Sequence, residues 1–234
     1  MSTTDAAVLA KPAILKAHEE GRILISPFDK RQVGNCSYDV RLGEFYYMEQ
    51  AGFQHATLMN PYDPQSVLQM WGQVAQAVSD PQNGLPGVPA NTKFIRLPPG
   101  ACILAHTEEF IGGVDNAVTT MMQGRSTIGR CSVQIECAGW GDVGFAQRWT
   151  MEIKNLSQHC HALLVCGRRI GQIVFLNTTG IEDEDRYGQR GKYQTSDLKG
   201  LTHEELLDTW SPEMMLPKAH LDWDVPQENA GLLE

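Results

Sequence analysis

Residues 93–122, KFIRLPPGACILAHTEEFIGGVDNAVTTMM, hold three runs of strand-forming residues separated by turn-formers. The runs KFIRL, ACILAHTEEFI and AVTTMM favour Ile, Phe, Val and Thr, which suit a pleated surface, and Pro98-Pro99-Gly100 reads as a turn. Working outward, the same rhythm recurs. Residues 22–26 and 37–42 cluster β-formers between Pro27, Gly34 and Gly43, and strand-like segments continue between Gly and Pro clusters through Phe175. Such a succession predicts an all-β barrel or sandwich rather than βαβ units.

Two stretches break the pattern. Residues 11–20, KPAILKAHEE, read as a short helix, with Pro12 in its first turn, Ile14, Leu15 and His18 at helical spacing, and Gly21 as the stop. Residues 58–91 read as an insertion: Pro61, Pro64, Pro81, Pro86 and Pro89 bracket SVLQMWGQVAQAV, whose Val67, Leu68, Trp71, Val74, Ala75 and Val78 predict one amphipathic helix packed on the core.

The chain has 234 residues and a formal net charge of -9, with 42% hydrophobic and 20% charged residues. That is globular composition, long enough for one full domain with appendages. The acidic balance argues against a general nucleic-acid or anionic-membrane surface, so an anionic ligand needs a local cationic pocket. No apolar run is long enough for a membrane helix and no leader pattern opens the sequence, so a soluble cytoplasmic protein is expected. The six cysteines, Cys36, Cys102, Cys131, Cys137, Cys160 and Cys166, form no CxxC pair and read as reduced core thiols. His159-Cys160-His161 follows no usual zinc spacing, and no metal ligands are expected.

Residues 123–152, QGRSTIGRCSVQIECAGWGDVGFAQRWTME, concentrate the polar chemistry. Arg125 and Arg130 with Ser126 and Thr127 offer donors to phosphate oxygens, and Gly124 permits close backbone approach. Asp142 is either a turn-stabilising residue or a carboxylate for a sugar hydroxyl or water. In WTMEIK, Trp149, Met151 and Ile153 face one side of a strand and Thr150, Glu152 and Lys154 the other. If that polar side lines a closed pocket, desolvation raises the Glu152 pKa and suits it to proton transfer; if it faces solvent, Glu152 is a solvated strand residue. Tyr38, Asp39 and Arg41 read as edge packing and a surface ion pair.

Over most of residues 8–196 the chain resembles the dCTP deaminases of the trimeric dUTPase-like superfamily. ILISPFDKRQVGNCSYDVRLGEFY resembles the family's SYD and RLG pattern, QGRSTIGR its EGRSSLAR-type motif and AGWGDVGF its AGWIDPGF-type motif. WTMEIKN resembles its ITLELxN strand, CGRRIGQIVF its PGMRIGQLxF segment, and YGQRGKYQ its C-terminal Y…KYQ lid.

The resemblance implies a mainly β fold: a distorted β-barrel or jelly roll with a short N-terminal helix, assembled as a homotrimer with shared active sites. It implies hydrolytic deamination of dCTP to dUTP and ammonia, in dUTP biosynthesis, without protein-bound zinc. Glu152 would be the general base and acid, with Ser126 and Arg130 positioning base and water. Arg125 would meet phosphate across a subunit boundary, Asp142 would hold the 3′-hydroxyl, and backbone groups of residues 135–138, Ile135 and Ala138 included, would read the pyrimidine edge. Gln172, Tyr187, Lys192 and Gln194 would complete the sugar and triphosphate contacts, with magnesium bound through the triphosphate.

The sequence departs from the pattern at Gln123, usually Glu, at Cys137, often Thr, and at Gly141 and Val143, where an aliphatic residue and often Pro stand. The resemblance divides the chain into a dCTP deaminase/dUTPase-like domain at residues 1–197, with its 58–91 insertion, and an acidic extension at 198–234 that is expected to pack on the trimer through a short amphipathic helix. Two alternatives stay open: a bifunctional enzyme that carries dCTP to dUMP and pyrophosphate, which the run Ala138-Gly139-Trp140 resembles equally well, and a catalytically silent nucleotide-binding regulator.

Overall fold

A computed structural model of the chain describes residues 6–50, 58–79, 85–136 and 139–226. The fold is mainly β, as the spacing of strands and turns predicts. Helix α1 (Lys11–Glu19) precedes strands β1 (Ile23–Ser26) and β2 (Tyr38–Met48). After α2 (Pro64–Trp71) come β3 (Ala75–Gln76), β4 (Val78–Ser79), β5 (Lys93–Leu97), β6 (Cys102–Gly113) and β7 (Val118–Gly124). The short helix α3 (Ser126–Gly129) leads to β8 (Val133–Ile135), β9 (Trp140–Gly141), β10 (Arg148–Asn155), β11 (Ala162–Val165) and β12 (Arg169–Asn177), and α4 (Tyr187–Arg190) and α5 (His203–Leu207) follow.

The quoted stretch 93–122 supplies β5, β6 and β7, with the Pro98-Pro99-Gly100 turn in place. A nine-stranded sheet runs β8-β10-β6-β2-β12-β7-β9, with β1 also on β6 and β3 on β2; a second sheet runs β11-β5-β4. All of these pairings are antiparallel. Long β6 is the hub, because its two edges together pair with β1, β2 and β10. The main core gathers Ile14 from α1 with Ile25, Val40, Ile103, Met151, Ile173 and Phe175 from five strands.

The insertion is a correction to the sequence reading. Its helix begins as expected, with Asp63 accepting a hydrogen bond from Gln65 N at 2.9 Å, but it stops at Trp71. Gly72 takes φ 64, a left-handed conformation that ends helices, and residues 75–79 pair instead as β3 with β2 and β4 with β5. Hydrophobic spacing alone could not separate these short strands from more helix.

The extension packs on its own chain. Leu206 of α5 is buried with Phe110 and Leu198, beneath a capping box made by Thr202 and Glu205. Met215 joins Val67 and Trp71 of the insertion against Tyr47 and Leu104. The cysteines also depart from the core reading: Cys36, Cys131 and Cys160 are free thiols at exposed positions outside the strands, and Cys102 and Cys166 are half-buried. Cys137 lies outside the described residues. No described helix is long and apolar enough to cross a membrane.

Candidate active site

Strand β10 alternates half-buried and buried residues over its whole length, so Arg148, Thr150 and Glu152 share one face and Trp149, Met151 and Ile153 the core face. The polar face is half-buried and forms the floor of a partly open cavity of about 500 Å³, with Trp140 and Asp142 at its rim and Tyr187 and Trp210 among its walls. Burial raises the Glu152 carboxyl above its ordinary value of 4.5; its own backbone amide opposes the shift and the charge of Glu136 adds to it. Of the two sequence readings of Glu152, the pocket-facing one is realised.

The loop that brings Asp142 to this cavity depends on size matching. Trp149 is almost fully buried and donates from Nε1 to Ile111 O at 2.8 Å. A Cβ at Gly141 would lie 2.5 Å from the Trp149 ring, so glycine here is the complement of the large ring on β10. Gly144 turns the chain with φ 91, and a Cβ there would press on Arg186 and Tyr187 at 3.1 Å.

The segment from 187 to 196, expected from the resemblance to be a lid, packs on this turn. Gln194 is 1% exposed; its Oε1 accepts from Ala146 N at 2.9 Å, and its Nε2 donates to Gly144 O at 2.9 Å and Ser196 O at 3.0 Å. Its amide thus clips the lid to the Asp142 loop. Tyr187 lines the cavity, stacks edge-on against Phe145 at 5.2 Å and accepts Tyr193 N at 3.3 Å. Lys192 is ion-paired to Asp222 of the extension, and Lys218 reinforces the contact by donating from Nζ to Lys192 O at 2.9 Å and from its backbone to the Tyr193 hydroxyl at 3.1 Å.

The other expected site residues gather elsewhere. Arg125 lies with its Nε 3.7 Å from Asp39, which Arg169 also meets at 2.8 Å. Gln172 on β12 is in register with Gln123 and Asp39 and accepts from Ser37 Oγ at 3.0 Å. Ser126 and Arg130 are exposed on and just after α3, and neither they nor Arg125 and Gln172 line the Glu152 cavity. Ile135 is half-buried on β8, opposite Ile153, and the following amide, Glu136 N, donates to Glu152 O at 2.8 Å. Ala138 lies outside the described residues. Within one chain, Glu152 and Asp142 therefore line the cavity, while Arg125, Ser126 and Arg130 lie on a separate, partly exposed cationic and hydroxyl surface.

The edge reading needs correction for Tyr38 and Arg41, whereas Asp39 does form the expected ion pair, with Arg169 at 2.8 Å. Tyr38 is fully buried, and Arg41 bonds the fully buried Glu109 through Nε at 2.6 Å, with Gln32 completing the carboxylate's partners at 3.0 Å. An inward-facing pair survives here because every carboxylate contact is a hydrogen bond.

Sequence reasoning missed Arg148, although it continues the alternation of Thr150 and Glu152. Its guanidinium carbon sits 4.9 Å from the Phe110 ring centroid and 4.8 Å from that of Trp210, and burial lowers its pKa. Trp210 in turn packs at a tilt against His106, with ring centroids 4.4 Å apart. Burial lowers the His106 pKa to about 4, so the ring is neutral: Nδ1 donates to Thr107 O at 2.8 Å and Nε2 accepts from Phe45 N at 3.3 Å.

A family model described as dCTP deaminase-like matches residues 8–178. A curated protein named dCTP deaminase, dUMP-forming, from Methanosphaerula palustris is 29% identical over 188 residues, 80% of this chain and 90% of that protein. The protein of the same name from Methanoregula boonei is 34% identical over 164 residues, 70% of this chain and 78% of that one. The crystal structure of 2'-deoxycytidine 5'-triphosphate deaminase from Agrobacterium tumefaciens aligns with a TM-score of 0.48 at 15% identity, over 79% of this chain and 52% of that chain.

Proposed function

Because the chain belongs to the dCTP deaminase-like family, we propose that it deaminates dCTP hydrolytically and carries the product on to dUMP and pyrophosphate. The observation that supports this most directly is the half-buried Glu152 on the floor of a cavity shared with Asp142. The relatives' dUMP-forming names favour dUMP as the end product over dUTP, the product first expected.

Glu152, as carboxylate, takes a proton from a water that adds to C4 of the cytosine ring. It delivers that proton to N3, then moves the remaining hydroxyl proton of the C4 adduct to the exocyclic nitrogen; the C–N bond breaks, ammonia leaves, and a C4 carbonyl beside N3–H remains. A second water cleaves the bond between the α- and β-phosphates, giving dUMP and pyrophosphate. Magnesium enters with the substrate, on the triphosphate, and lowers the charge that the protein must meet.

Asp142 accepts from the deoxyribose 3′-hydroxyl, and Tyr187 packs beside the sugar. The missing donors come from a neighbouring copy: Ser126 and Arg130 orient base and water, while Arg125 and Gln172 meet phosphate. The exposure of Ser126 and Arg130 in one chain, together with a Trp140 that is 61% exposed on the cavity rim, supports a site shared in a homotrimer. Backbone groups of residues 135–138 read the polar pyrimidine edge, and Gln194 acts by holding the lid on the Asp142 loop.

Lys192 reaches phosphate only after leaving Asp222. Asp222→Asn is therefore expected to lower KM for the nucleotide by up to about fivefold, the scale of one partly exposed ion pair. A raised KM in that variant shows instead that Asp222 orients Lys192 for binding. For the reaction itself, quantifying ammonia, dUTP, dUMP and pyrophosphate from dCTP and magnesium separates the outcomes: ammonia with dUMP and pyrophosphate supports the proposal, ammonia with accumulating dUTP limits it to deamination, and no ammonia overturns it.

A further inference from the structure

Glu152 has a neighbour on each side of β10, and the two differ in kind. Toward β6 its cross-strand partner is Leu104, which is almost fully buried. Toward β8 the register that pairs Ile153 with Ile135 and Lys154 with Gln134 continues by one residue to Glu136, whose backbone N–H donates to Glu152 O at 2.8 Å. Directly opposed residues of an antiparallel pair send their side chains to the same face of the sheet, with Cβ atoms about 5 Å apart. Ile135 packs on the core with Ile153, so the half-buried Glu136 takes the face of Glu152. A row of three side chains, Leu104, Glu152 and Glu136, thus crosses the sheet at Glu152.

Carboxylates set opposite one another on a sheet repel, and the pairing is unfavourable unless something neutralises it. Among the described residues, no cation is ion-paired to either carboxylate. Other titratable groups do surround Glu152. Arg148 and Lys154 share its face of β10, and His106 and Cys102 of β6 stand opposite Thr150 and Lys154. Asp142, Tyr187 and Tyr193 line the cavity, whereas the lining residues that the extension supplies carry no titratable group. Burial is the largest influence on the Glu152 carboxyl, and Glu136 is the group whose charge adds to it.

Deamination, the reading on which this inference rests, asks Glu152 to hold a proton between taking it from water and giving it to the cytosine ring. Burial beside Leu104 and a negative charge across the ladder both favour the protonated form that this interval needs. The Glu136 side chain does not line the cavity, so it reaches the reaction only through its neighbour. We propose that Glu136 is a positioning residue for the deamination, whose carboxylate makes Glu152 a better carrier of the proton taken from water.

The pH dependence of kcat/KM for dCTP tests this, because the midpoint of its acid limb reports the ionisation of Glu152 in the free protein. Glu136→Gln removes the charge and keeps the shape. Glu152 then ionises more readily, and the midpoint is expected to fall by about half a pH unit, the scale of one opposed pair on a sheet. Glu136→Asp keeps the charge and is expected to stay closer to the parent. A midpoint does not depend on how much of a variant folds. The carboxyl carbon of Glu152, followed by NMR in the parent and in Glu136→Gln, reads the same ionisation without turnover. A midpoint unmoved or raised in Glu136→Gln, or lowered as far in Glu136→Asp, overturns the proposal while the parent still releases ammonia. No ammonia from the parent at any pH overturns the deamination reading, and the proposal with it.

Discussion

Glu152→Gln is expected to lower turnover by at least about 100-fold while nucleotide binding is largely kept, because the amide preserves shape and hydrogen bonding but cannot take a proton from water. The pKa shift gives this variant a second signature, in stability. Burial raises the folded-state pKa of Glu152 above its ordinary value of 4.5. Below the unfolded value the side chain is protonated in both states, and the full stability is present. As pH rises through the folded pKa, ionising the buried carboxyl costs stability that an amide does not lose. Glu152→Gln is therefore expected to unfold at a higher temperature than the parent near pH 8, with the difference shrinking toward pH 4. Thermal unfolding across that range, beside ammonia release, checks both signatures. Unchanged turnover removes Glu152 from the chemistry, and a variant less stable at pH 8 than at pH 4 relative to the parent contradicts the desolvated cavity.

The second large effect is recovery of activity from two defective chains. Ser126→Ala is expected to lose about 100-fold in turnover, the scale for removing one positioned donor. Mixed with Glu152→Gln by co-expression, it should regain about a quarter of parental activity, since in a random trimer with sites shared between neighbours a quarter of the sites draw an intact residue from each copy. Sites built within single chains would each carry one lesion and stay inactive. Within one chain Glu152 and Asp142 line the cavity, and Ser126 and Arg130 do not.

Much of this molecule was legible in its residues, for reasons that differ by region. Helix α1 starts at Lys11 and ends one residue before the predicted limit because Pro12 and Gly21 act locally. Strands β5, β6 and β7 follow from their runs of β-formers and from the turn chemistry of Pro98-Pro99-Gly100. The alternation around Glu152 fixed which residues share its face. It could not say what covers that face, since Trp210 and Tyr187 arrive from 58 and 35 residues downstream by way of tertiary packing.

The same limit explains the errors. Residues 75–79 become strands only because β2 and β5 offer partners, a long-range effect that overrides helical spacing. Arg41 reads as a surface cation until Glu109 is seen to be buried beside it. The motif residues divide between two regions of one chain, and no local pattern reports that division. The described residues of the extension fold onto their own sheet and the insertion, where they wall the cavity, a placement no local pattern reports.

The most direct test is to incubate the purified protein with dCTP and magnesium and to follow ammonia together with the nucleotide products. Stoichiometric ammonia, dUMP and pyrophosphate, all abolished together in Glu152→Gln, is the predicted result. Nucleotide binding without ammonia release contradicts it.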